Sequence, residues 1–302
     1  MSNRVLITCC GILLLLGVTV AGCGGMKHSL APEQATTSSA ATEQADLLAT
    51  GTSESENDEA DGRDAPRGAS LITEPMTIRS PGNYRLVKDL NVAHGDGIVI
   101  ASSDVRLWLG THRLYGPGNK TGRAIAIEGA RNVIVTGGRI EHFGFGVVLL
   151  DAANCRVRGV NIHGGDETAD PPNGNPPQIG VMLINSAMNR ITRNQLTDVN
   201  LGLFIRGPGS YRNWIDGNRV VGGAHGLLAV CYNPAPGADP AGPHNDHVRF
   251  NLLSRFGTGI AASAGSMRNE FEFNTIRYFV SAYVDPSGTN EFEHNRTEQI
   301  VP

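Results

Sequence analysis

Two repeated signals that share one period constrain this chain most strongly. Asparagines flanked by alternating apolar residues recur at intervals of 24, 33, 23 and 21 residues. The series consists of Asn194, Asn218, Asn251, Asn274 and Asn295. A Gly-apolar or Ala-apolar pair recurs in phase, in steps of 27, 22, 34, 22, 24, 33 and 23 residues from Gly97 to Ala282. Periods of this size are typical of solenoids and arrays rather than of compact domains.

Each repeat contains three short segments in which apolar and polar residues alternate, which predicts three strands. Such strands cannot bury a face alone, but triangles of strands stacked on one another enclose a continuous core. We therefore predict an all-β fold, a right-handed parallel β-helix solenoid of about eight coils. A leucine-rich repeat would need a leucine-dominated consensus, and a propeller would need longer repeats. The asparagines are predicted to sit at corners in the left-handed conformation and to hydrogen-bond along the axis as a ladder.

Residues 1–22 have the features of a secretory signal peptide: Arg4 precedes an apolar run that ends in small residues. Val20-Ala21-Gly22-Cys23 resembles the lipobox of bacterial lipoproteins. The resemblance implies that Cys23 is lipidated and anchors the protein to a bacterial membrane, at the periplasmic face or the cell surface of the envelope. A plain secretory signal or a spanning anchor is the alternative.

Residues 23–70 are predicted to be a disordered acidic tether. Positions 24–70 contain no aromatic residue and have nine acids against three bases, a composition that buries too little apolar surface to fold. Residues 71–95 are predicted to cap the open end of the helix. Residues 96–302 are predicted to form the right-handed β-helix domain.

Charge narrows the class of ligand. The chain carries −4 in all, and because the signal contributes about +1 and the tether about −6, residues 71–302 carry about +1. A nucleic-acid binder normally has a basic surplus, so we expect no nucleic-acid partner. The bases of this region are nineteen arginines and two lysines, which favours carboxylate or phosphate ligands. Solvated outer faces account for the arginines equally well.

Two steps of the glycine series are about eleven residues longer than the others and predict loops at residues 163–178 and 233–244. One loop enters and the other leaves the same sheet, so we expect them to wall a cleft. Tolerated insertions without a role are the alternative. The polar residues predicted to bind substrate there are His163, Asp166, Glu167, Asp239 and His244.

Alternation also predicts the floor of this cleft. If Val181 and Leu203 point into the core, Met182 and Phe204 point outward, and Phe204 becomes a predicted substrate contact. An apolar floor indicates either that the loops fold over it or that something packs on it.

The repeat over residues 96–302 resembles the right-handed β-helix superfamily of pectin lyases, polygalacturonases and NosD-like periplasmic proteins, and its asparagine pattern is most similar to the NosD-like group. His225-Gly226-Leu227 resembles the His-Gly-Leu motif of polygalacturonases, which implies a catalytic-site histidine. The chain departs from that motif where it has Asn200-Leu201-Gly202 in place of paired aspartates. This chain therefore lacks the pair of carboxylates that a polygalacturonase-type hydrolase needs, and we do not expect that activity.

Two functions follow from these resemblances. A lyase or epimerase needs a base and a group that neutralises a uronate carboxylate, and His225 and Arg206 are the candidates for these catalytic roles. The leading hypothesis is a membrane-tethered envelope protein that binds an acidic polysaccharide or other envelope glycan and, if it is an enzyme, cleaves or epimerises it. The alternative is a non-catalytic NosD-like scaffold or accessory protein. We expect no cofactor and assign no metal ligands; a Ca²⁺ ion is the alternative, and no residue pattern supports a site for it.

Overall fold

A computed structural model of the chain describes residues 67–118, 121–164, 178–230, 242–263, 265–285 and 288–299. The predicted signal peptide, Cys23 and the predicted tether up to residue 66 lie outside these ranges. Every regular element of the described residues is a β-strand, as predicted. Within these ranges no helix is long and apolar enough to span a membrane.

The strands are short and follow one another closely along the chain. The first eight are β1 (Ser70–Ile72), β2 (Met76–Ile78), β3 (Gly82–Leu86), β4 (Leu90–Asn91), β5 (Ile98–Ile100), β6 (Val105–Tyr115), β7 (Arg123–Glu128) and β8 (Ile134–Glu141). The next eight are β9 (Phe145–Leu150), β10 (Arg156–Arg158), β11 (Asn161–His163), β12 (Ile179–Ile184), β13 (Arg190–Thr192), β14 (Gln195–Thr197), β15 (Leu201–Arg206) and β16 (Trp214–Asp216). The last seven are β17 (Arg219–Val230), β18 (His247–Arg249), β19 (Leu252–Ala262), β20 (Glu270–Glu272), β21 (Thr275–Val284), β22 (Glu291–Glu293) and β23 (Arg296–Glu298).

These strands form three parallel faces, which we call sheets 1, 2 and 3 in the order in which a coil visits them. Sheet 1 contains β2, β5, β7, β9, β12, β15 and the C-terminal parts of β17, β19 and β21. Sheet 2 contains β1, β3, the N-terminal parts of β6 and β8, and then β10, β13, β16, β18, β20 and β22. Sheet 3 contains β4, the C-terminal parts of β6 and β8, β11, β14, the N-terminal parts of β17, β19 and β21, and β23. The predicted parallel β-solenoid of about eight turns is confirmed.

The first coil begins earlier than residue 96, where the predicted domain boundary lay. Strands β1 to β4 already pair in parallel with β3, β5 and β6. Residues 70–91 therefore continue the solenoid, because their apolar side chains, such as Ile72 and Ile78, are as fully buried as those of later coils.

The core is a stack of rungs of Ile, Val and Leu inside the three sheets. On sheet 1, Val181 is in register with Leu203, and both side chains are inaccessible to solvent. On sheet 2, Ile215 lies between Ile191 and Val248. Each such side chain stabilises the fold by roughly 1.5–3 kcal/mol relative to an exposed one.

The predicted asparagine ladder is present at the corner between sheets 2 and 3. The backbone N–H and the Nδ2 of Asn194 both donate to Oδ1 of Asn218, at 3.0 Å, and Asn218 donates in the same way to Asn251. Asn274 and Asn295 continue the ladder. The predicted left-handed conformation of these asparagines is wrong, because positive φ occurs at the preceding residue, as at Arg193.

A second ladder lies at the corner between sheets 1 and 2. Its members are Asn189, Asn213, Asp246, Asn269 and Asn290. The asparagines Asn189, Asn213 and Asn269 use the same pair of donors as the first ladder, but Asp246 has no side-chain amide to donate. Both ladders fix the height of each coil relative to the next.

Candidate functional site

Sheet 1 carries the predicted catalytic pair at opposite ends of adjacent strands. The backbone of His225 is in register with Leu201, and Arg206 is in register with Val230. Because Leu201 and Arg206 are the two ends of β15, and a strand rises about 3.3 Å per residue, the two predicted catalytic positions are roughly 16 Å apart along the sheet. The two positions lie on adjacent coils, and their catalytic roles stay predictions.

The outward floor of sheet 1 is apolar, as predicted, but it is buried. Val148, Met182 and Phe204 are in register on three successive coils, and their exposed fractions are 4 %, 5 % and 2 %. They form an apolar cluster separate from the main core. A ligand would reach Phe204 only if this face were uncovered, so its predicted role as a substrate contact stays untested.

The residues at the two ends of the predicted loops flank sheet 1. His163 ends a strand of sheet 3, where its Nδ1 lies 3.1 Å from the hydroxyl of Thr197 and 3.4 Å from the carboxylate of Asp198. His244 lies after sheet 1, and its ring stacks on Tyr211 with centroids 5.5 Å apart. The other predicted contacts, Asp166, Glu167 and Asp239, lie outside the described residues.

No three His, Cys, Asp or Glu side chains of the described ranges converge on a space that would hold a metal ion. The expectation of no cofactor remains a prediction.

Sequence reasoning missed an outward row of arginines on sheet 2. Arg156 is in register with Arg190, and Arg190 with Trp214, on three successive coils, and all three side chains are exposed. Neighbouring strands are about 4.8 Å apart, so the row presents cations on adjacent rungs. A comparison of the residue that follows the ladder position in each repeat would have found it.

The charge of this outward row on sheet 2 changes from positive to negative further along the axis. Trp214 is followed by His247, which is followed by Glu270 and then by Glu291. The outer face of sheet 2 is therefore basic over its middle coils and acidic over its last coils.

Sheet 3 has a second polar row. In register order its members are Arg113, Arg139, Asn161, Gln195 and Arg219. Arg113 and Arg139 both approach the carboxylate of Glu141, at 3.3 and 3.7 Å. Amides and guanidiniums on successive rungs can hydrogen-bond to hydroxyl and carboxylate groups alike.

The fold and register define a parallel β-solenoid, and the chain belongs to the right-handed β-helix family, whose model matches residues 80–276. Among solved structures, it is similar to the tailspike protein of E. coli bacteriophage HK620. A mutant of that tailspike in complex with a pentasaccharide has a TM-score of 0.55 and 12% identity, covering 78% of this chain and 49% of that one. A second structure of that tailspike in complex with a pentasaccharide has a TM-score of 0.54 and 12% identity, covering 76% of this chain and 47% of that one.

The chain thus spans about half the length of the tailspikes that it matches. At 12% identity this likeness establishes the fold alone. No curated protein matches the chain in sequence.

Proposed function

We propose that this chain is a glycan-binding protein of the bacterial cell envelope that binds an acidic polysaccharide along its outer faces. The arginine row on sheet 2 carries the proposal. Arg156 and Arg190 face outward on adjacent rungs, and guanidinium groups bind carboxylates bidentately. A linear polymer that runs along the axis meets a cation at successive coils, which suits an acidic group on successive sugars.

The structural neighbours support this proposal. The tailspikes similar in fold are in complex with a pentasaccharide. The near-neutral charge of residues 71–302 is also consistent with the proposal. A local row of arginines can bind a carboxylated polymer without the large basic surplus that nucleic-acid binding requires.

The register between strands favours glycan binding without cleavage or epimerisation. His225 and Arg206 belong to strand positions roughly 16 Å apart. That spacing suits two contacts along a polymer better than a base and a carboxylate-neutralising group at one sugar. Cleavage or epimerisation by this pair is the narrower hypothesis. It predicts an unsaturated or epimerised product, which ultraviolet absorbance or NMR of the treated polymer would detect.

A non-catalytic scaffold is the competing function. The buried apolar cluster of Val148, Met182 and Phe204 favours it, because these three outward side chains offer no polar group to a sugar. A scaffold would retain its protein partners whether or not the arginine row is intact.

We further propose that Cys23 anchors the chain to the envelope and that residues 24–70 tether it. A flexible coil of that length spans roughly 35–40 Å on average. The solenoid would stand off the membrane surface, within reach of envelope polysaccharide.

The test is calorimetric binding of a galacturonate oligosaccharide and of its neutral galactose counterpart. The acidic probe is expected to bind, with an affinity that falls as salt is raised. Replacing Arg156 and Arg190 by alanine should weaken binding roughly tenfold per arginine. Arg296→Ala is the matched control, since Arg296 is exposed but pairs with Glu298 at 2.7 Å near the other end. Equal binding of the two probes, or no binding of either, would overturn the proposal.

A further inference from the structure

An aromatic cluster lies on sheet 2 at the point where the outward row changes sign. Trp214 is 40% exposed, and its ring stacks on that of His247 from the next coil, with centroids 4.3 Å apart and planes 21° apart. The guanidinium of Arg249 lies 5.5 Å from the centre of the Trp214 ring. The indole is thus held by its neighbours and still open to solvent.

This cluster forms one side of a groove of about 500 Å³, which we call the Trp214 groove. It is lined by Arg212, Trp214, Asn245, His247, Arg268 and Glu270. Its volume lies within the range of about 300–1,000 Å³ that is usual for small-ligand sites. The lining combines an aromatic ring, two guanidiniums, an amide and a carboxylate, which are the groups that recognise a carbohydrate with an acidic substituent.

The far side of the Trp214 groove is held by ion pairs. A carboxylate oxygen of Glu270 lies 2.8 Å from Nδ1 of His247 and accepts a hydrogen bond of 2.8 Å from Arg249. Partial burial acts to raise the pKa of Glu270, but the bonds from Arg249 and His247 outweigh it and lower that pKa. Because these side chains are already fixed, less conformational entropy is lost when a ligand binds.

The two guanidiniums on the near side are differently placed. Arg212 and Arg268 lie at the corner between sheets 1 and 2, with Asn245 on the coil between them, and all three have positive φ. Both arginines are exposed. No carboxylate of the described part of the chain pairs with either of them. They are therefore available to an anionic group of a ligand lying against Trp214.

We propose that the Trp214 groove is a subsite for a single carboxylated pyranose: the exposed part of the Trp214 ring, which His247 leaves uncovered, packs against the apolar face of the sugar ring, and Arg212 and Arg268 bind its carboxylate. Asn245 and Glu270 hydrogen-bond to the ring hydroxyls. This inference rests on the proposed function, because it assigns one sugar of the bound polymer to a defined place.

The charges around the groove also set the direction in which the polymer extends. On one side the row continues as Arg190 and Arg156, and on the other as Glu270 and Glu291. Further acidic sugars are repelled by Glu291, since Arg249 and His247 balance the charge of Glu270, and they are attracted by the arginines. The bound polymer therefore extends from the Trp214 groove toward the N-terminal coils.

The experiment uses the full-length chain and a galacturonate trisaccharide, with binding followed by calorimetry. Trp214→Ala should lower the affinity roughly thirty-fold or more, as expected for the loss of a central aromatic contact, whereas Trp214→Phe, which keeps a ring, should lose much less. Arg212→Ala with Arg268→Ala should remove the preference for galacturonate over the neutral galactose trisaccharide. Trp108→Ala is the matched control, because Trp108 lies on the same sheet several coils away.

Intrinsic fluorescence gives a second readout that does not depend on the alanine variants folding. Trp108 and Trp214 are the only tryptophans of the chain, so in Trp108→Phe the emission reports on Trp214 alone. The trisaccharide should change that emission in a saturable way. If the unmutated chain binds the trisaccharide and Trp214→Ala binds it equally well, the subsite is refuted while the proposed function stands. If the unmutated chain binds no galacturonate probe, the proposed function fails and the subsite with it.

Discussion

Replacing Asp246 by asparagine is predicted to stabilise the protein at neutral pH. Asp246 is a rung of the second ladder, where its Oδ1 accepts from the backbone N–H and Nδ2 of Asn213, at 2.8 and 3.0 Å. Its own N–H donates to Oδ1 of Asn269. An asparagine at this position would also donate from Nδ2, whereas Oδ2 of Asp246 makes no hydrogen bond within the described part of the chain.

The size of the effect follows from the pKa of Asp246. Burial raises that pKa from 3.8 to about 7, against the lowering effect of the bonds from Asn213. Keeping Asp246 ionised in the fold therefore costs about 4 kcal/mol. The folded state holds a proton that the unfolded state releases between about pH 4 and pH 7, so stability falls as the pH rises through that range and is level above it.

Thermal unfolding of Asp246→Asn and of the unmutated chain at about pH 4 and at about pH 8 checks this reasoning. At the higher pH the variant should melt about 10 °C higher, because an amide carries no ionisation cost and restores the missing donor. At about pH 4 the difference should nearly vanish. Asn269→Asp, on the next rung, is the matched control and should destabilise the protein at the higher pH. Equal melting temperatures there, or a difference that does not change with pH, would refute the argument.

Three further predictions address other parts of the molecule. Asn218→Ala removes the side-chain bond to Asn251 and the two bonds that Asn218 Oδ1 accepts from Asn194 on a buried rung, and it should cost about 2–4 kcal/mol; an unchanged urea unfolding curve would contradict the ladder. Gly180→Ala should destabilise by about 1–3 kcal/mol, because the new methyl group would overlap the side chain of Leu196, and a thermal melt equal to that of the parent chain would disprove this. Cys23→Ser should release the protein from membranes or leave an unprocessed precursor, and normal fractionation with full maturation would rule out the lipid anchor.

The fold could be predicted from the sequence because every repeat of a solenoid carries the same pattern of apolar, polar and corner residues. Alternation alone predicted that the side chain of Val181 points inward and that of Met182 outward. The spacing of Asn194 and Asn218 indicated the register between coils. The left-handed residues could not be identified in this way. They precede the asparagines and are chemically diverse, as Arg193 and Phe250 illustrate, so no residue type marks them.

The candidate site was less predictable because its parts come from different coils and carry no common motif. Trp214 and His247 stack across 33 positions of sequence, and each looks like an ordinary surface residue within its own repeat. Long loops drew attention to sheet 1, whereas the described groove of mixed polar and aromatic character lies on sheet 2. Only the register between coils brings its residues together.

The geometry of the asparagine ladder between sheets 2 and 3 does not depend on the number of residues in a coil. Asn194 reaches Asn218 across 24 positions and Asn218 reaches Asn251 across 33, and both amide-to-carbonyl contacts measure 3.0 Å. Extra residues in one coil thus leave its neighbours undisturbed, and a mutation on one rung is felt only by the two that touch it. The outer loops and outward side chains of each coil can therefore change during evolution while the core side chains stay the same. Ligand choice and folding competence can evolve separately in such an architecture.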